Sequence, residues 1–299
     1  MTTTTLSVDL DALNAMTPHD FVAAIGDVFE KSPWIVESVA GQRPFRTLAA
    51  LYDALAAAVM AAPDRQSLDL IRAHPDLAGK AARSGTLTPD STAEQISAGL
   101  HRLSETEYAS FHSFNEGYKA RFGFPFIVCV RRHTKGSILR AFETRLGHDA
   151  QTERKTAIEE ILRIAALRLD QRVTARDKLP LNGRLSTHVL DTFTGKPAQG
   201  VAISLFELAA EGDHREVTRA VTNADGRTDA PLIADRPIPF GQYELRFEIG
   251  PYFARIGAAT NDPAFLDVVP IRFGVAEPEG HYHVPLLASP WSYTTYRGS

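Results

Sequence analysis

The chain has 299 residues and a mass of 32.7 kDa, about twice an ordinary domain, so two domains are expected. Hydrophobic residues make up 44% and charged residues 23%, which excludes a disordered or fibrous chain, and the net charge of −4 lacks the basic excess of a nucleic-acid binder. One cysteine, Cys129, excludes an internal disulfide framework and cysteine-rich metal sites and points to a reducing compartment.

The longest strongly apolar run, Phe124 to Val130, is far shorter than the roughly 20 residues of a spanning helix. Met1 to Leu6 lacks the basic start and apolar stretch of a secretory signal, and Arg297-Gly298-Ser299 is not a peroxisomal ending. The expectation is a cytoplasmic protein without nucleic-acid or membrane partners.

In chain order, the first half reads as helix. Thr17-Pro18-His19-Asp20 combines a cap, a proline at the first helical position and an acid in the first turn, and Phe21, Ile25, Val28 and Phe29 continue it as an apolar stripe. Leu48, Leu51, Tyr52, Leu55 and Val59 repeat the pattern. Ser91-x-x-Glu94 and Ser104-x-x-Glu107 have capping-box spacing, and the helix opened by Ser104 is expected to stop at Gly123, ahead of Pro125. A last helix carries Ile158, Ile161, Leu162, Ala165 and Leu169 on one side. Residues 1–172 are therefore read as an all-α domain, and 173–182, charged and containing Pro180, as a linker.

From 183 to 299 the period becomes two. Tyr243, Leu245, Phe247 and Ile249 alternate with Glu244, Arg246 and Glu248; Leu185–Leu190, Val201–Phe206 and Phe265–Phe273 also read as strands. Turns at Thr194-Gly195, Asp225-Gly226 and Pro237-x-Pro239-x-Gly241 separate them, predicting an antiparallel β-sandwich.

Candidate chemistry begins at His74, which precedes Pro75 where an apolar helix must end. Such a histidine suits general acid–base work near neutral pH, though a C-cap role would also explain it. A capping box accounts for Ser91 and Glu94 without a ligand; Gln95 lacks that explanation. Arg168 falls on the apolar side of its helix and needs a carboxylate partner, an anionic ligand or a snorkelling route to water. Phe126, Ile127, Val128, Cys129 and Val130 read as core, with main-chain N–H groups that could serve a ligand, and Cys129 as a buried inert thiol. In the second half, His281 and His283 share one strand face, but no third strong ligand at a recognised spacing makes them a metal site. The aromatic, hydroxyl-rich ending Ser289–Ser299 is unlike a free tail and is expected to be docked.

His74-Pro75-Asp76-Leu77, the group Ser91, Glu94 and Gln95, and the run from Phe114 to Phe126 together resemble the 2-oxo-4-hydroxy-4-carboxy-5-ureidoimidazoline (OHCU) decarboxylase family, over about residues 15 to 170. The resemblance implies an all-α, cofactor-free domain that releases CO2 to give S-allantoin. In it His74 is the catalytic acid/base, oriented by Glu94. Ser91, Gln95 and Arg168 bind substrate, the Phe126–Val130 backbone adds donors, and Pro75 lines the pocket.

Leu185-Ser186-Thr187-His188-Val189-Leu190-Asp191, Gly226-Arg227-Thr228-Asp229, His281-Tyr282-His283 and Tyr296-Arg297-Gly298-Ser299 resemble the transthyretin-related 5-hydroxyisourate (HIU) hydrolase family. That resemblance implies a metal-free site of His188, Arg227, His283 and Ser299 with Tyr296 and Arg297 close by, in a tetramer formed through the C-terminal domain. It favours His283 over His281, which strand periodicity leaves open. HIU hydrolysis yields OHCU, so the expected protein is a bifunctional enzyme of urate degradation whose partners are these two small molecules.

Overall fold

The structure is a computed structural model describing residues 7–79, 85–209, 214–258 and 261–298. The chain divides into two compact units, Met1–Arg131 with Ile138–Pro180 and Arg132–Ser137 with Leu181–Ser299.

The first unit is built from helices α1 (Leu10–Ala15), α2 (Pro18–Ile25), α3 (Trp34–Val39), α4 (Leu48–Met60), α5 (Asp64–Arg72), α6 (Pro89–Ser97), α7 (Glu105–Phe122), α8 (Lys135–Arg145) and α9 (Ala150–Arg172). Local chemistry sets several ends. Thr17 caps α2 through the Asp20 N–H, with Pro18 in the first turn, and Ser104 and Glu107 close a full capping box on α7, which ends at Gly123 with φ 76°. The other expected box does not form. Thr88 caps α6, followed by Pro89, so Ser91 and Glu94 lie inside the helix and their side chains are free to turn inward. Phe21, Ile25, Leu48, Leu51, Phe111, Tyr118, Phe142, Ile161 and Leu169 are buried, so the apolar stripes meet in one core.

This unit is not purely helical. β1 (Val8–Asp9) pairs in parallel with β2 (Val173–Thr174), because α9 ends at Arg172 and the chain straightens beside the N-terminal segment. Beyond β2, Leu179 is buried and its N–H bonds Asp170, while Asp177 accepts the Leu48 and Ala49 N–H groups at the start of α4.

The second unit is a β structure. One sheet has the order β10 (Val268–Val275), β9 (Gly241–Glu248), β6 (Ala202–Leu208), β7 (His214–Val221), all antiparallel. Ile203 faces Phe247 and Leu205 faces Leu245, all buried, as the period-two pattern requires. Ile249, read as the end of that strand, instead opens helix α10 (Ile249–Arg255). A second layer holds β11 (His281–His283), β3 (Gly183–Ser186) and β8 (Ile233–Arg236), continued by β13 (Tyr293–Thr295), β12 (Leu286–Ala288), β4 (Val189–Asp191) and β5 (Lys196–Pro197). β3 and β11 run in parallel, as do β4 and β12, and both runs break at the same level, around Thr187-His188 and Val284-Pro285. Across the break, Val284 N–H bonds the Ser186 carbonyl and Leu286 N–H the His188 carbonyl. The shared kink is where two histidines meet.

Candidate active sites

In the helical unit, α5 ends two residues before His74, whose N–H bonds the Ile71 carbonyl. The ring is 9% exposed and its Nδ1 lies 3.0 Å from the Leu70 carbonyl, so Nδ1 carries the hydrogen and Nε2 is left as an acceptor. Burial pushes the His74 imidazole down to about 4; the nearby Arg168 adds to this, while the Leu70 carbonyl and Glu30 oppose it. At neutral pH this histidine is uncharged and must accept a proton before it can donate one.

His74 lines a slot of about 30 Å³ with Pro75, Ser91, Glu94, Gln95, Phe126, Ile127, Val128, Val130 and Arg168. These positions span four segments, which the fold gathers into one place. Arg168, 4% exposed, is held side-on by Glu94, with Nε at 2.7 Å and Nη2 at 2.8 Å from the two carboxylate oxygens, and its Nη1 lies 3.2 Å from Glu30. Burial opposes its charge, but Glu94, Glu30 and Asp90 outweigh that and raise its pKa. Both oxygens of Glu94 are therefore on Arg168, and the Leu70 carbonyl orients His74. Gln95 uses its carbonyl oxygen to accept the Ala78 N–H at 2.9 Å. Cys129 is buried but does not line the slot, and its N–H donates to Glu160 at 2.7 Å, so that donor is committed to the protein. Arg145 braces the same loop, donating to the Ile127 carbonyl at 2.6 Å and stacking over Phe126.

In the β unit, His188 and His283 stack with centroids 4.9 Å apart, and His188 Nδ1 lies 2.8 Å from His283 Nε2. Two imidazoles at that distance share one hydrogen, so one is donor and the other acceptor. Ser186 Oγ sits 2.9 Å from His283 Nδ1. Burial lowers the pKa of both rings; Arg227 adds to it at His188, and His188, Arg227 and His281 add to it at His283. Arg227 is brought alongside by a backbone bridge to His188. That bridge depends on Gly226, which has φ 67° and where a Cβ would stand 2.4 Å from the Val189 carbonyl.

These groups line a cleft of about 420 Å³ with Arg184, Asp229, His281, Tyr296 and Gly298. His283 is buried and His281 exposed, so the fold separates the two histidines that periodicity could not. The ending is held by its backbone: Gly298 N–H bonds the His283 carbonyl at 2.9 Å and β13 pairs with β12, while Tyr293 and Tyr296 remain exposed. Arg297 lies over the Tyr282 ring. Ser299 lies outside the described residues. Among the described residues, no three His, Cys, Asp or Glu side chains cluster as metal ligands, and no helix is long and apolar enough to cross a membrane.

Two residues of the helical site were not among the sequence candidates. Glu30 looks like a surface residue beside Lys31, and Glu160 like an exposed helical acid; only the tertiary fold shows them buried under the pocket.

Residues 14–170 match the family model of OHCU decarboxylase, and residues 185–298 that of the HIUase/transthyretin family. Over 119 residues, covering 40% of this chain and 98% of the relative, the chain is 55% identical to 5-hydroxyisourate hydrolase 2 of Rhizobium meliloti (strain 1021). Over 168 residues, covering 56% of this chain and 93% of the relative, it is 39% identical to a 2-oxo-4-hydroxy-4-carboxy-5-ureidoimidazoline decarboxylase of Halalkalicoccus jeotgali. A crystal structure of (S)-allantoin synthase is similar over 98% of this chain and 100% of that one, with 34% identity and a TM-score of 0.53.

Proposed function

We propose that this chain, which belongs to the OHCU decarboxylase family and carries a domain of the HIUase/transthyretin family behind it, performs two consecutive steps of urate degradation. The C-terminal unit hydrolyses HIU to OHCU, and the N-terminal unit decarboxylates OHCU to S-allantoin. The observation that carries this reading is the convergence, within each unit by itself, of residues far apart in sequence: His74, Ser91, Gln95 and Arg168 around one slot, and His188, Arg227, His283 and Gly298 around one cleft.

In the cleft, the tautomer with hydrogen on His188 Nδ1 leaves Nε2 to take a proton from water. Water attacks a ring carbonyl, Arg227 stabilises the developing oxyanion, and the ring C–N bond breaks to leave a carboxylate as His188 Nε2 passes its proton to the departing nitrogen. In the slot, the bond to that carboxylate breaks, CO2 leaves, and the electron pair moves into the neighbouring C=N of the substrate ring, whose nitrogen takes a proton from water, so no external electron sink is needed. The neutral His74 then takes the proton of the resulting enol and returns one to the adjacent carbon on a single face, which fixes the chirality. Arg168, Ser91 and Gln95 hold the substrate. Ser299, Tyr296 and Arg297 complete the hydrolase site, and the cytoplasmic protein assembles as a tetramer through its C-terminal domain, as the family resemblance implies.

The test supplies freshly generated HIU and follows HIU decay, OHCU decay and allantoin chirality together. Wild type is expected to accelerate both decays and give the S enantiomer. His74→Ala is expected to accumulate OHCU and yield racemic allantoin at undiminished HIU hydrolysis. Near-normal OHCU turnover in that variant would refute the assignment.

A further inference from the structure

The decarboxylase pocket rests on a buried carboxylate to which the family resemblance gives no role. Glu30 follows the short helical turn Gly26–Val28, is 3% exposed and does not line the slot. One of its oxygens, Oε2, accepts from three donors: Ser91 Oγ at 3.1 Å, Thr88 Oγ1 at 3.2 Å and Arg168 Nη1 at 3.2 Å. Ser91 and Arg168 do line the slot. The residue after Glu30, Lys31, has φ 49°, a left-handed conformation unfavourable for a side chain with a Cβ, so the fold holds this turn in place against a local cost.

We infer that Glu30 is the positioning residue that sets the donor–acceptor polarity of the decarboxylase pocket, by taking the Ser91 hydroxyl hydrogen and one Arg168 N–H. The inference rests on the decarboxylase reading above. A serine hydroxyl has one hydrogen and two lone pairs. With its hydrogen on Glu30 and one lone pair toward Arg168 Nη2 at 3.4 Å, Ser91 offers a ligand only an acceptor. Gln95 is polarised the other way: its oxygen is committed to the Ala78 N–H, so it offers its amide nitrogen as donor. An acceptor and a donor side by side match the N–H and C=O of a ureido group. Glu30 also fixes the guanidinium at the corner opposite Glu94, so Arg168 is held from two sides.

The experiment uses the full chain, with steady-state OHCU decarboxylation as the readout and helical circular dichroism as the folding check. Glu30→Gln is expected to raise KM for OHCU about tenfold, the scale of one charge-assisted hydrogen bond, and to leave HIU hydrolysis unchanged. Loss of folded protein alone would lower kcat at constant KM. Ser91→Ala is expected to raise KM similarly, and the double variant to exceed the worse single by no more than about twofold, since both remove the same interaction. If Glu30→Gln loses helical signal, Glu30→Asp, which keeps the charge but withdraws it from Ser91, is expected to show the same rise in KM. An unchanged KM in a folded variant overturns the inference, as does a double-variant effect equal to the product of the singles. A wild-type chain that leaves OHCU at its spontaneous decay rate overturns the decarboxylase reading and the inference with it.

Discussion

His74 and His188 are both imidazoles held below the ordinary histidine range with burial as the leading cause, yet their surroundings differ in kind. His74 sits 9% exposed at a slot of about 30 Å³, beside an arginine paired with two glutamates. His188 lines a cleft of about 420 Å³, where its partner is another imidazole and the neighbouring Arg227 is solvent-exposed. In the helical unit the groups that would meet substrate are the same groups that neutralise one another inside the protein, so function and stability are tied together. In the β unit they are separable.

Crossed substitutions break or sharpen that contrast. The largest expected effect is on catalysis by His188→Ala, which should lower HIU hydrolysis by about 10²- to 10⁴-fold. Decarboxylation and the unfolding midpoint should stay unchanged, because the residue lies at a half-open cleft. Arg168→Met should instead cost about 3–5 kcal/mol of stability along with OHCU turnover, because Glu30 and Glu94 are left uncompensated in the interior. Arg227→Met should stay within about 0.5 kcal/mol of wild type in the same urea titrations.

The pH dependence follows from His74. Its folded pKa, about 4, lies below its ordinary 6.5, so between these values the unfolded chain binds a proton that the folded chain does not. Stability contributed by the neutral ring is therefore complete above pH 6.5 and is lost as pH falls toward 4, by on the order of 3 kcal/mol. Urea midpoints measured across that window should fall in wild type and flatten in His74→Asn. The smallest effect on catalysis is expected at the ending of the chain. A Cβ at Gly298 would stand 2.5 Å from His283 Cδ2, so Gly298→Ala should displace the imidazole pair and lower HIU hydrolysis about tenfold, with OHCU turnover untouched.

What the sequence disclosed divides along the same line. Caps such as Thr17-Pro18 and Ser104 with Glu107 were legible because donor and acceptor lie within one turn of each other. Strand alternation at Tyr243, Leu245 and Phe247 was legible because one face of that sheet is core. Ser91 and Glu94 were misread as a cap because spacing does not distinguish a helix start from one turn further in, where both side chains face Arg168. The run Leu185–Leu190 read as one strand, but the chain changes pairing at His188 to meet His283, nearly a hundred residues away. Alternation likewise made Glu244 a wet-face residue; it is 2% exposed because Arg246 and Arg272 close over it. Glu30 left no local trace, since its partners come from two distant helices.

The parallel ladder that sets Val8 beside Val173 has a consequence for how the helical unit is strung together. Its first and last segments are neighbours, so a short glycine bridge can join them and new termini can be opened in a surface turn such as Ala62-Pro63, between α4 and α5. A circularly permuted unit of this kind is expected to keep the side chains of the slot where they stand. Helical circular dichroism of such a permuted chain, expected to match wild type, checks whether the order of the helices along the chain matters to the fold.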